Sequence, residues 1–186
     1  WPDWQQKKLP GLLSEALAMN TRYFQAILNE YRRQSRDDDF DYRVARRQAH
    51  QADNALVLAW QDMQVEPGSQ RPFREQAFTL TYLNHALLSY LSALGAHREE
   101  NGNRNPEMLL LADAILEALG NASRATARLN QEMKAVLNKI RLLMNQSTSG
   151  TGRQQLVLLY NIAEVTQQLT EQAKTFHAGQ SAQPAP

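Results

Sequence analysis

One stretch constrains the fold of this chain more than any other. Residues 72–98 read PFREQAFTLTYLNHALLSYLSALGAHR. Apolar side chains recur there at helical spacing, through Phe73, Ala77, Leu80, Leu87, Leu91 and Leu94, and Asn84 alone interrupts the line. A second line, Phe78, Tyr82, Ala86 and Tyr90, widens the face. A helix with so broad an apolar surface has to be covered on more than one side. The spacing therefore predicts a central helix over 73–98, enclosed by other helices in an all-α bundle.

The rest of the chain supplies those partners. Leu13, Leu17, Asn20, Phe24, Ile27 and Tyr31 follow helical spacing, with Leu12, Ala16, Met19 and Tyr23 beside them. They predict a first helix over about 10–33, with Pro10 suited to its first turn. The preceding WPDWQQKKL reads as an entry segment. Aspartates in SRDDDFD suit the positive end of a second helix over about 39–65. Its inner line is Ala45, Ala49, Ala52, Leu56, Ala59 and Met63, small enough for close approach, with bulk expected from the central helix. Pro67 and Gly68 end it. A further helix starts at Pro106, and its pattern breaks at Gly120 and Asn121 before resuming at Ala122. The chain either turns back there or bends and continues as one long helix. NQSTSGTG at 145–152 reads as a flexible loop. A last helix over 153–176 carries Leu156, Leu159, Tyr160, Ala163, Thr166, Leu169 and Ala173. The expectation is an antiparallel bundle of five or six helices forming one domain over 1–177. The low-complexity tail 178–186 is expected to be disordered.

Totals exclude several functions. The 186 residues suffice for one sizeable core, and a net charge of +1 provides no global field toward nucleic acid. With no cysteine, disulfides and thiolate metal sites are excluded. No run is long and apolar enough to span a bilayer: Thr81, Asn84, His85 and Ser89 break one stretch, Asp113 and Glu117 another. The first residue is Trp1 rather than Met, which suggests a piece of something longer.

Candidate chemistry is sparse. His50, His85, His97 and His177 lack the paired spacing of a helical zinc site, so no metal or cofactor is expected. Arg43, Arg46, Arg47, His50 and Asp53 are expected on the side of the second helix opposite its inner line, where His50 and Asp53 could form an acid–base pair, but no nucleophile accompanies them. Glu107, Asp113 and Glu117 do not repeat a di-iron pattern. Asn84 must find partners if buried, either to fix helix register or to line a small cavity. Arg43, Arg46 and Arg47 form a basic cluster suited to phosphate or acidic lipid, against which Asp37, Asp38, Asp39 and Asp41 argue for internal pairing. An enzyme is not expected.

Two segments carry a resemblance. DYRVARRQAHQADNALVLAWQDMQVEP at 41–67 and FTLTYLNHALLSYLSALGAHRE at 78–99 resemble the FUSC family of bacterial membrane proteins, in its YccS/YhfK-like branch, related to fusaric acid resistance and aromatic acid efflux proteins. The opening WPDW, Leu9 with Pro10, and LLYNIAEV at 158–165 are similar as well. The likeness runs through most of residues 1–176. Its family-like positions are Tyr42, Ala45, Arg46, Arg47, Ala49, Asp53, Ala55, Met63, Glu66 and Pro67, then Asn84, His85, Ser89, Tyr90, Ala93, Leu94 and His97. The resemblance implies a C-terminal cytosolic domain of an efflux-type transporter, tethered at the cytoplasmic face of the bacterial inner membrane. It supplies no catalytic residues.

The expected role is assembly or regulation through a homo-oligomer, formed by this domain itself or by the membrane region. One alternative is a sensor of small aromatic acids, built from Tyr82, Asn84, His85 and Tyr90 with charge from Arg46 or Arg47. Another is an independent helical interaction protein.

Overall fold

The periodicities become six α-helices in a computed structural model. It describes residues 4–33, 38–68, 71–99, 105–124, 127–147 and 150–181, with the backbone alone at 4, 5, 99, 123 and 177–181. The helices are α1 (Trp4–Arg32), α2 (Phe40–Gln64), α3 (Arg71–Ala96), α4 (Pro106–Gly120), α5 (Ala127–Gln146) and α6 (Thr151–Ser181). Single 3-10 turns follow α3 and α4, and there is no strand among the described residues.

Successive helices alternate in direction, as named contacts establish. Asn20 meets Asn84 and Tyr31 meets Leu94, so α1 and α3 run parallel. Asp53 meets His85 and His50 meets Ser92, so α2 runs against α3. Arg32 reaches Asp113 while Gly120 faces Thr21, which sets α4 antiparallel to α1. Lys139 pairs with Glu107, and Arg141 with Tyr160, so α5 and α6 alternate again. Phe73 packs on Phe176 and Gln155 reaches the His97 carbonyl, closing α6 against α3. One pole of the bundle therefore collects the start of α1, the α2–α3 turn and the end of α6.

The central position of α3 is as expected: it packs against α1, α2 and α6. Ala77, Leu80, Leu87, Leu91 and Leu94 are all buried, joined by Leu83 and Leu88. The second line is half covered: Ala86 and Tyr90 pack, partly buried, against the core, whereas Phe78 and Tyr82 are exposed. The alanines of α2 do admit a close neighbour, but that neighbour is chiefly α1, whose Tyr23 ring packs on Tyr42, rather than the central helix.

Two helix ends differ from expectation, and the alternative left open at Gly120 is decided. One is the start of α1, which begins at Trp4, so Pro10 lies inside it. Proline has no N–H, so the Gln6 carbonyl loses its intrahelical donor there. At Gly120 the chain turns back. Asn121 caps α4 through its backbone N–H to the Ala118 and Glu117 carbonyls, and α5 returns antiparallel. The other differing end is that of α6, which continues to Ser181, through the first residues of the expected tail; 182–186 lie outside the described residues.

At the far pole an aromatic cluster ties three helices together. The Tyr42 ring lies over Gly95, with the Arg98 guanidinium 4.0 Å from its centroid. Its hydroxyl is 3.4 Å from that of Tyr23, and Tyr31 donates to the Leu94 carbonyl at 2.7 Å. A Cβ at Gly95 would lie 2.6 Å from the Tyr42 hydroxyl oxygen. Tyr42 is buried between the Tyr23 ring and the Arg98 guanidinium, so a shift of its ring would disturb both contacts.

Two outcomes follow from that cluster. Gly95→Ala should lower stability in urea unfolding. The overpacking costs about 1–3 kcal/mol, against a helix-propensity gain of about 1 kcal/mol. Tyr42→Phe in that background should recover part of the loss. The second outcome concerns alkaline pH. Burial, followed by the Tyr42 hydroxyl, pushes the Tyr23 phenol far above its ordinary value near 10. Above about pH 10 the unfolded chain releases this proton while the folded chain keeps it, so stability should fall as pH rises. Tyr23→Phe should flatten that slope in urea midpoints measured from pH 9 to 11 (about the window the shift sets).

Candidate functional site: a polar chain across three helices

Helical spacing places a carboxylate in the core of α2. Asp53 follows Ala49 by four positions and precedes Leu56 by three, and it is 2% exposed. Burying a charged group costs several kcal/mol unless hydrogen bonds replace its water. Here α3 provides two of them. Asn84 Nδ2 donates to Asp53 Oδ1 at 2.9 Å, and His85 Nδ1 lies 2.6 Å from Asp53 Oδ2. Asn84 Oδ1 in turn accepts from Asn20 Nδ2 of α1 at 2.9 Å. Both asparagines are fully buried. The chain Asn20–Asn84–Asp53–His85 thus crosses three helices and ends at a histidine whose side chain is 63% exposed.

Chemically this is an oriented histidine. A carboxylate acceptor directs the imidazole proton to Nδ1 and leaves Nε2 facing outward. Among the described residues no hydroxyl is hydrogen-bonded to its ring. Ser89 Oγ donates to the His85 carbonyl at 3.0 Å, and Ser92 Oγ lies 3.4 Å from His50 Nε2.

The expected acid–base pair of His50 with Asp53 is therefore replaced: His85 holds the carboxylate, and His50 turns to Ser92. Burial, then the nearby Arg46 charge, holds the His50 imidazole below its ordinary value. Asn84 serves register, as one of the two expectations had it.

The six expected ligand positions separate. Asn84 and His85 are joined through Asp53. Tyr82 stacks on Phe78 at the surface (centroids 6.3 Å apart). Tyr90 packs, half-buried, against the core. Arg46 and Arg47 are exposed on α2, where, among the described residues, Arg43 of the basic cluster has an expected aspartate, Asp39, at 2.8 Å; Asp37 lies outside the described residues.

Sequence reasoning passed over two features. Asp53 lies on the buried line of α2, which its spacing from Ala49 and Leu56 could have revealed. The other is a groove of about 510 Å³ between Trp60, Gln64, Arg74 and Phe78, near the α2–α3 turn. Trp60 and Phe78 face each other there at 5.3 Å.

Fold and site together define an all-α bundle whose first three helices are fastened by side-chain polar groups. Among the described residues no helix is long and apolar enough to cross a membrane, and no cluster of three or more His, Cys, Asp or Glu could hold a metal ion. In sequence, the chain is similar to the inner membrane protein YccS of Escherichia coli K12. Identity is 40% over 153 residues, which are 80% of this chain and 21% of that protein. An uncharacterized protein of Haemophilus influenzae is 30% identical over 92% of this chain and 25% of its own length. The uncharacterized protein ORF2 of Neisseria gonorrhoeae is 33% identical over 51% of this chain and 23% of its own. The aligned part is thus a fifth to a quarter of each relative. No protein-family model and no solved structure matches. The relation to YccS-like membrane proteins, expected from residues 41–67 and 78–99, is supported by the first of these relatives.

Removing members of the polar chain should cost stability in a fixed order. Asp53→Ala and Asn84→Ala each strand buried groups and should cost roughly 2–4 kcal/mol in urea unfolding. His85→Ala exchanges a mostly exposed partner for water and should cost less than about 1 kcal/mol. A His85 effect as large as the other two would contradict the chain as described.

Proposed function

We propose that this chain is an extramembrane helical domain of a YccS-like, efflux-type inner-membrane protein, positioned on its cytoplasmic face, and that it serves assembly or regulation rather than catalysis. One observation carries the reading. The chain forms a helical bundle with no spanning helix among the described residues, yet its sequence corresponds to about a fifth of an inner membrane protein. The polar chain supports a scaffold role, because the Asp53 carboxylate is taken up by Asn84 and His85 and the nearby serines are engaged elsewhere. In this reading, copies of the domain associate and hold the membrane parts in a fixed arrangement, so that movement in one part biases the other.

Reporter fusions after Pro186 in the membrane-inserted protein test the placement. A fluorescent protein that matures only in the cytosol should be bright, and alkaline phosphatase, active only outside it, should be silent. The opposite pattern overturns the reading. Sedimentation of the 186-residue chain over a concentration series tests assembly, with a concentration-dependent rise in mass expected.

A further inference from the structure

We infer that the α2–α3 hairpin tip docks on the surface of an anionic lipid bilayer. The inference rests on the reading of this chain as part of an inner-membrane protein, and it assigns the contact to particular side chains.

Exposed apolar side chains are spread over the bundle, Phe40, Leu58, Leu110, Leu142 and Val157 included, but among the described residues exposed aromatic rings stack on each other only here. Val65 is 83% exposed, and Pro67 and Pro72 flank the turn in solvent. Along the adjoining helix faces Phe78 is 50% and Tyr82 63% exposed, stacked on each other and on the half-buried Trp60. Large aromatic rings with one wet edge are the side chains that settle at a headgroup boundary. Leu110 of α4 and Leu142 of α5 are also exposed, but neither has an exposed aromatic ring stacked beside it.

Unpaired cations fit the same occupant, although the exposed carboxylates of Asp62 and Glu171 lie at the same pole. Arg71 and Arg74 open α3 at the groove, and Lys8 and Lys174 are exposed at the same pole. Arg71 pairs with Glu75 at 2.9 Å, whereas Lys8, Arg74 and Lys174 have no carboxylate partner among the described residues. Cations beside an apolar surface attract anionic headgroups while the apolar side chains partition below them.

Topology supplies the third argument. Both ends of the described chain, Trp4 and Ser181, emerge at the pole that carries the tip. A chain joined to a membrane-embedded part through either end is held with this pole toward the bilayer.

The test is co-sedimentation of the 186-residue chain with vesicles of phosphatidylethanolamine and phosphatidylglycerol, against vesicles of phosphatidylcholine alone. Binding to the anionic vesicles is expected, falling with added salt. Arg71→Gln with Arg74→Gln should weaken it by about fivefold per arginine and reduce its salt dependence. Val65→Ser with Phe78→Ser should weaken it on both kinds of vesicle, and Leu110→Ser should leave it unchanged. All five positions are at least partly solvent-exposed, and circular dichroism melts confirm folding before comparison. Three results overturn the inference: no binding by the unaltered chain, binding indifferent to the tip variants, or tip variants that change the sedimenting mass without changing vesicle binding, which assigns the tip to a second copy. The reporter fusions are independent of this assay. A cytoplasmic reporter with no vesicle binding removes the docking inference and leaves the placement intact.

Discussion

A carboxylate in the middle of a helix bundle dictates what surrounds it. Asp53 has almost no contact with water, so its charge must be shared by donors that arrive from outside its own helix. Asn84 and His85 do this as consecutive residues of α3, one directed inward and one outward. Asn84 then needs a donor for its own oxygen, and Asn20 of α1 provides it. Each requirement fixes the height of one helix against another. Apolar ridges alone would permit neighbouring registers a turn apart, about 5.4 Å. Sliding α2 or α1 by that distance would strand the carboxylate or an amide in an apolar layer.

Small residues make this fastening reachable. Ala45, Ala49 and Ala59 bury little surface themselves, but they let the α2 backbone come near α1, which carries Tyr23, Phe24 and Ile27. Gly95 plays the matching part in α3, where the Tyr42 ring occupies the space of a side chain. The C-terminal helices are held differently. Their buried polar residues are Gln155, Thr166 and Thr170, and α6 meets α3 through apolar contacts such as Phe73 on Phe176. The bundle therefore has a half with specified register and a half fastened chiefly by shape.

Much of this was legible from spacing, because helical period is a local property. The core line of α3, the boundaries of α2 and the start of α4 at Pro106 all follow from it. The failures have identifiable causes. Pro10 marks a helix start in isolation, yet here the N–H it lacks is tolerated inside α1. Phe78 and Tyr82 have the residue type and spacing of a buried line, but the neighbouring α2 covers that angle of α3 only in part, through Trp60 on Phe78. Periodicity gives the direction a side chain takes from its own axis and nothing about what stands opposite. Asp53 is expected beside His50 on the outer side of α2, because a carboxylate is normally exposed; it lies buried on the line of Ala49 and Leu56, where tertiary packing brings Asn84 and His85 to it.

Register and surface chemistry then bear on each other. The exposed aromatics of α3 and the turn at Val65 belong to the two helices that the Asp53 chain fastens, so the tip cannot slide along the bundle without unmaking those hydrogen bonds. Through Asn20 the same chain fixes α1, which begins at the pole where the tip lies. The distance from the first described turn to the tip is thus set by polar bonds in the core rather than by loops. A force on either end of the first three helices is transmitted along fastened rods instead of being absorbed by sliding. That is the mechanical property required of a domain that holds or reports the arrangement of a larger assembly. Under the proposed assembly role, this would be the reason for a costly buried charge where an apolar residue would pack without penalty.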